Sequence, residues 1–156
     1  MDGRSGAQLE NPHFSRWPMI IEMVQDVIDL INGGTYSQSF TAEQRWTPAT
    51  EKSDGSLLVY VWLDSVEMTR DTRCGDSALQ QVIKVGFRRS IDVGSIAQVN
   101  DLISLSEEVA QHILRNRTSD GHIITAVDWS TVVDNEALFE DSIAVTILEL
   151  ELKEIN

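Results

Sequence analysis

A chain of 156 residues, 42% hydrophobic and 24% charged, carries enough apolar side chains for one packed core, which excludes a wholly disordered polypeptide and leaves little room for a second core. Its formal net charge of -13 excludes sequence-independent binding to nucleic acid, because affinity for the phosphate backbone comes from Lys and Arg that displace counterions. No apolar run approaches the ~20 residues that cross a bilayer, and residues 1–10 lack the apolar stretch of a signal peptide, so the chain is expected to work in a cytosol with no membrane contact. Cys74 is the sole cysteine, which rules out an intrachain disulfide and a cysteine-rich metal knuckle.

Residues 1–17 mix Gly, Ser, Asn and charges without periodicity and read as a flexible arm; residues 18–156 read as a single α+β domain. The first helix opens at Trp17-Pro18, with Ile20, Val24, Val27, Ile28 and Ile31 at helical spacing and Asn32-Gly33-Gly34 as its stop. Residues 35–46 alternate, with Tyr36, Phe40, Ala42 and Trp46 on one face, which predicts a half-buried strand. A turn around Pro48 and Asp54-Gly55 leads to residues 57–63, apolar on both faces and therefore predicted to lie inside a sheet. Residues 65–78 turn polar, and a third strand follows over residues 79–91 with Ile83, Val85, Phe87 and Ile91 inward and Lys84, Arg88 and Ser90 outward. These two strands and their polar connection predict one long hairpin whose tip projects beyond the core.

Asp92-Val93-Gly94-Ser95 breaks the strand and caps a second helix, marked by Ile96, Val99, Leu102, Ile103, Val109 and Ile113. Residues 123–129 alternate as a further strand and residues 143–152 make a long last one. There Ile143, Val145 and Ile147 share one parity while Leu148, Leu150 and Leu152 share the other, so either a bulge shifts the phase near Ile147 or both faces are covered. The expected fold is a mainly antiparallel sheet of about five strands with two helices packed on one face. Ile83, Val85, Phe87, Val99, Leu102, Val109, Ile143 and Val145 are its expected core.

Catalytic chemistry finds little support. With only His13, His112 and His122, no triad suggests itself: His13 lies in the arm, His112 reads as a helix-surface residue without a zinc partner, and His122 as a turn residue at a strand entrance. Cys74 beside Arg73 reads as a loop cysteine rather than a nucleophile. Asp64, Glu67 and Asp71 match neither a calcium loop nor a two-metal site and are better explained as solvated hairpin charges. Neither GxxxxGK[ST] nor GxGxxG occurs, and no cofactor is expected. Trp17, Trp46, Trp62 and Trp129 are better read as core or interface packing than as stacking platforms.

The stretch Thr69-Arg70-Asp71-Thr72-Arg73-Cys74-Gly75-Asp76, followed by Ile83-Lys84-Val85-Gly86-Phe87-Arg88-Arg89, resembles the tail terminator and tail completion proteins of the neck of long-tailed bacteriophages. The resemblance extends over the helix before this stretch, the helix after it and the closing strand. It implies a non-enzymatic virion structural protein, assembled in the host cytoplasm, that forms a homo-oligomeric ring, commonly a hexamer. Such a ring caps the tail tube protein and offers a surface to head-tail connector proteins, with DNA passing through its lumen without specific binding. A head-completion or head-to-tail joining protein is the nearest alternative, and a small metal-dependent cytosolic enzyme a remote one. A closed ring needs two complementary faces on each subunit. Basic Arg70, Arg73, Arg88 and Arg89, with Asp71 and Asp76 among them, stand against an acidic last segment that includes Glu149 and Glu151, and these are the expected interface residues.

Overall fold

The computed structural model describes residues 20–45, 56–70, 77–92, 94–119 and 122–154. Among them, three helices and six strands follow one another as α1 (Ile20–Asn32), β1 (Ala42–Gln44), β2 (Leu58–Arg70), β3 (Ser77–Ser90), α2 (Ile96–Arg115), β4 (Thr118–Ser119), β5 (His122–Thr131), α3 (Asn135–Asp141) and β6 (Ile143–Glu154). The strands form one sheet in the order β1-β2-β3-β6-β5-β4. Every pairing is antiparallel except that of β1 with β2. The α+β class and the mainly antiparallel sheet thus agree with the sequence; β4 and α3 are additional elements. The expected arm, the loop after Arg45 and the hairpin tip at residues 71–76 lie outside the described residues.

One face of the sheet carries α1 and α2. Along α1, Met23, Val24, Val27, Ile28 and Ile31 are buried, a stripe that 3.6-residue periodicity places on one side. Its last turn closes through Gly33 N donating to Asp29 O (3.0 Å) and Gly34 N to Ile31 O (3.1 Å). Ser95 caps α2 by accepting from Gln98 N at 3.3 Å, as its sequence position predicts, and Leu102, Leu105, Val109, Ala110 and Ile113 are buried beneath that helix. Facing them are Val59 and Val61 of β2, Ile83, Val85 and Phe87 of β3, and Ala144, Leu148, Leu150 and Leu152 of β6.

The phase question in the last strand is settled by its register. β6 pairs with β3 without interruption from Ile143↔Ser90 to Lys153↔Gln80, so even-numbered residues face the helices along its whole length. The irregularities lie in β5 instead, between Ile124 and Ala126 and between Trp129 and Thr131, the latter opposite Ile147. Ile143, Val145 and Ile147 consequently occupy the opposite face; Ile143 is buried there and Val145 only half-buried, so neither belongs to the core under the helices. Val99 is likewise half-buried.

The strand expected over residues 35–46 shrinks to Ala42–Gln44. Its upstream half is engaged by helices rather than by a strand. Tyr36 donates to Ile31 O (2.7 Å) and stacks on Phe40, and Ser37 N donates to Glu108 Oε1 at 2.8 Å. Asn32 then stands in for a strand residue, accepting from Ala42 N at 2.8 Å and donating to Ala42 O at 3.1 Å. β2 and β3, by contrast, are longer than the hydrophobic pattern suggests, with Arg70 opposite Ser77, so much of the polar connection is paired ladder.

Candidate functional site

Of the arginines expected at the interface, Arg88 and Arg89 do not share one surface. Arg70 ends β2, and Asp71, Arg73, Cys74 and Asp76 lie outside the described residues. Arg88 and Arg89 alternate across β3: Arg88, opposite Leu58, lies on the face away from the helices, and Arg89, opposite Ala144, lies on the helix face. Arg88 thus faces outward from the helices as expected, but it is only 6% exposed, which corrects its reading as an accessible interface residue. Arg89 is half-buried, with Nη1 donating to Gln38 Oε1 at 3.4 Å and Nε buried without a hydrogen-bond partner.

Glu149 and Glu151 lie on the helix-free face, half-buried, and both already have neighbours within the chain. Lys84 Nζ sits 3.9 Å from Glu149 Oε1 and 3.7 Å from Asp64 Oδ1, and Gln80 Nε2 donates to Glu151 Oε1 at 3.0 Å. On the same face Tyr60 stacks on Trp62, ring centroids 5.3 Å apart, with Tyr60 lying across Gly86 of β3. Burial raises the Tyr60 pKa, against the opposing pull of Arg88 and Arg45.

The histidines are structural ties more than surface residues. His112 Nε2 donates to Leu30 O at 2.9 Å and its ring meets Tyr36 edge-on, joining α2 to the end of α1. His122 is 2% exposed, the first residue of β5 rather than of a solvated turn. Its Nδ1 is buried without a hydrogen-bond partner, and Asp26 Oδ2 lies 3.9 Å away. Burial lowers its pKa below 6.5, with Asp26 acting in the opposite sense. Trp129, expected to pack in a core or an interface, is 37% exposed while its Nε1 donates to Ser106 Oγ at 2.9 Å. Among the described residues, no group of three or more His, Cys, Asp or Glu side chains comes together as a metal site.

The most exposed apolar feature among the described residues is one the sequence reading missed. Asp134 caps α3, accepting from Ala137 N at 3.1 Å, and Ser142 closes it in the left-handed conformation (φ 54°); the short helix packs on β6, across from the start of α2. Between them runs a groove of ≈ 380 Å³ lined by Ile91, Gly94, Ile96, Val99, Leu138 and Phe139. Phe139 is 84% exposed and Ile96 74%. The Asp134-Asn135-Glu136 start signal was available in the sequence; the seven residues of α3 bury nothing, so no apolar periodicity announced it.

No family model and no curated protein matches the sequence. Among solved structures, the chain is similar to the sheath/tube terminator, in its extended state, of an extracellular contractile injection system (PVC), at 11% identity and a TM-score of 0.41. The match covers 90% of this chain and 58% of that one, so this chain spans less than two thirds of the neighbour's length.

Proposed function

We propose that this chain is a structural protein of the neck of a long-tailed phage or phage-like particle, forming a ring that ends the tail tube and offers the head-joining surface. The observation that carries an assembly role is the exposed apolar groove: Phe139 and Ile96 leave large side chains in water on the same feature, the mark of a surface that a protein partner covers. The tail-terminator reading within that class rests on the resemblance of Thr69 through Asp76 and Ile83 through Arg89. Thr69 and Arg70 end β2, which pairs with β3, and Ile83 through Arg89 lie within β3, a strand flanked on both sides by other strands. The net charge of -13 also suits a ring through which DNA passes without adhering.

Electron microscopy of particles from a host lacking this gene tests the proposal. A terminator leaves tails of uncontrolled length, whereas finished tails beside full heads would assign the chain to head-to-tail joining. Normal particles would remove the neck assignment altogether.

A further inference from the structure

We propose that the groove between the first turn of α2 and α3 receives the aromatic segment Phe14-Ser15-Arg16-Trp17 from the N-terminus of a second copy of the chain, linking subunits head to tail. The inference deepens the ring reading above and rests on it for its biological setting, though not for its geometry.

Charge selects this occupant. The chain carries no Lys or Arg between Arg89 and Arg115 and none between Arg117 and Lys153, so the segments that build the groove contain only acids among their permanently charged residues. Asp134, Glu136, Glu140 and Asp141 are exposed along α3. Residues 11–19 have the complementary composition: Phe14, Trp17 and Met19 with Arg16 and His13, and no acid. Aromatic side chains filling an apolar cleft while an adjacent guanidinium meets a rim of carboxylates is a common way for a short segment to gain both affinity and direction.

Reach decides between the chain's own groove and a neighbour's. The start of α1 is fixed at the far end of the sheet, where Gln81 Nε2 contacts Met23 Sδ at 2.7 Å. Asn32, at the other end of α1, is tied to Ala42, which pairs with Val59 and through it lies level with Phe87. The helix therefore runs from the level of Gln81 toward that of Phe87, and its N-terminus points away from Ile91 at the groove. Ten strand residues from Gln81 to Ile91 span ~33 Å. Phe14 precedes Ile20 by six residues, at most ~21 Å of extended chain. The segment stops short of its own groove, and only another copy can deliver it.

Single-cysteine proteins in a Cys74→Ser background test this directly. Ser15→Cys protein is mixed with Glu140→Cys protein, oxidised, and the disulfide-linked species are identified by mass spectrometry. Gln25→Cys, on an exposed position of α1, replaces Glu140→Cys as the control. Docking predicts that the heterodisulfide joining the thiols introduced at positions 15 and 140 is enriched about tenfold over the control pair, because binding raises their local concentration. Adding Phe139→Ser, at a residue 84% exposed and thus dispensable for folding, should abolish the enrichment. Equal yields with the control position would overturn the proposal, and so would a double variant, Ser15→Cys with Glu140→Cys, that closes an intrachain disulfide at high dilution. If tails lose length control without the gene but no enrichment appears, this inference fails while the neck assignment stands. Enrichment together with normal particles would mean the reverse.

Discussion

Tyr60 lies directly opposite Gly86 in the β2–β3 ladder, and its ring fills the space a side chain at position 86 would need. A Cβ added there would collide with Cζ of the Tyr60 ring. The glycine in the run Ile83 to Arg89 is thus explained by close aromatic approach, since no unusual backbone angle occurs at this position. Gly86→Val should cost ~1–3 kcal/mol by displacing the ring. In urea titrations, the same substitution in a Tyr60→Ala background should cost distinctly less; strictly additive losses would show that the two residues do not interact.

Phe87, fully buried between Val59 and Thr146, is the largest side chain among those with no exposed surface. Phe87→Ala should lower stability by ~3–5 kcal/mol through lost burial and the cavity left behind. Chemical denaturation measures it, and a loss under about 1 kcal/mol would place Phe87 outside a packed core.

Gln81 occupies a helix-facing position in β3 where its neighbours Leu79 and Ile83 are apolar. Its amide nitrogen contacts Met23 Sδ, but its Oε1 is buried with no hydrogen-bond partner. An unsatisfied buried acceptor costs roughly 1–3 kcal/mol, so Gln81→Leu should raise the denaturation midpoint instead of lowering it. A destabilised variant would mean that the amide is satisfied in solution.

These cases show which parts of the fold could be read from sequence. Ile83, Val85 and Phe87, and the stripe on α1, announce themselves because one covered face imposes a strict period. Ser95 was legible as a cap for the same local reason. Residues 35–40 were misleading, since Tyr36 and Phe40 alternate like a strand while spending their side chains on one another and on Ile31 and His112. The charged surface was least legible. Adjacent arginines look like one patch in sequence, yet strand alternation sends Arg88 and Arg89 to opposite faces. The groove escaped notice because it arises where Ile96 and Phe139, far apart in the chain, meet at one end of the sheet.

His122 makes stability depend on pH in a definite direction. Burial holds its pKa in the folded protein below the ordinary 6.5, and Asp26 offsets this only in part. The unfolded chain therefore takes up the proton first as pH falls. This contribution to stability is fully present above 6.5 and is lost as pH drops through the folded value. Denaturation midpoints of the parent should fall between about pH 7 and about pH 5, and His122→Phe should fall less steeply. Identical slopes would show that His122 does not control the loss.

Charge reversal at the arginines should separate folding from assembly. Arg88, 6% exposed, stands opposite Leu58 and next along the ladder from the Tyr60–Gly86 pair, so Arg88→Glu would place a carboxylate in a largely dehydrated site. A cost on the order of several kcal/mol is expected, visible as unfolding before any question of assembly arises. Arg70 ends β2 and Arg73 lies outside the described residues; the ring reading puts both in contact with the next subunit's carboxylates. Exposed pairs contribute only ~0–1 kcal/mol each, so Arg70→Glu with Arg73→Glu should leave the denaturation midpoint nearly unchanged. Repeated around a closed ring, the same reversal turns each weak attraction into repulsion, and tail capping should fail. Salt screens such charges over about 10 Å at 0.1 M, so raising ionic strength should partly restore capping. If the double variant caps tails as well as the parent at low salt, the hairpin arginines are solvated and the subunits must be joined through apolar surface alone.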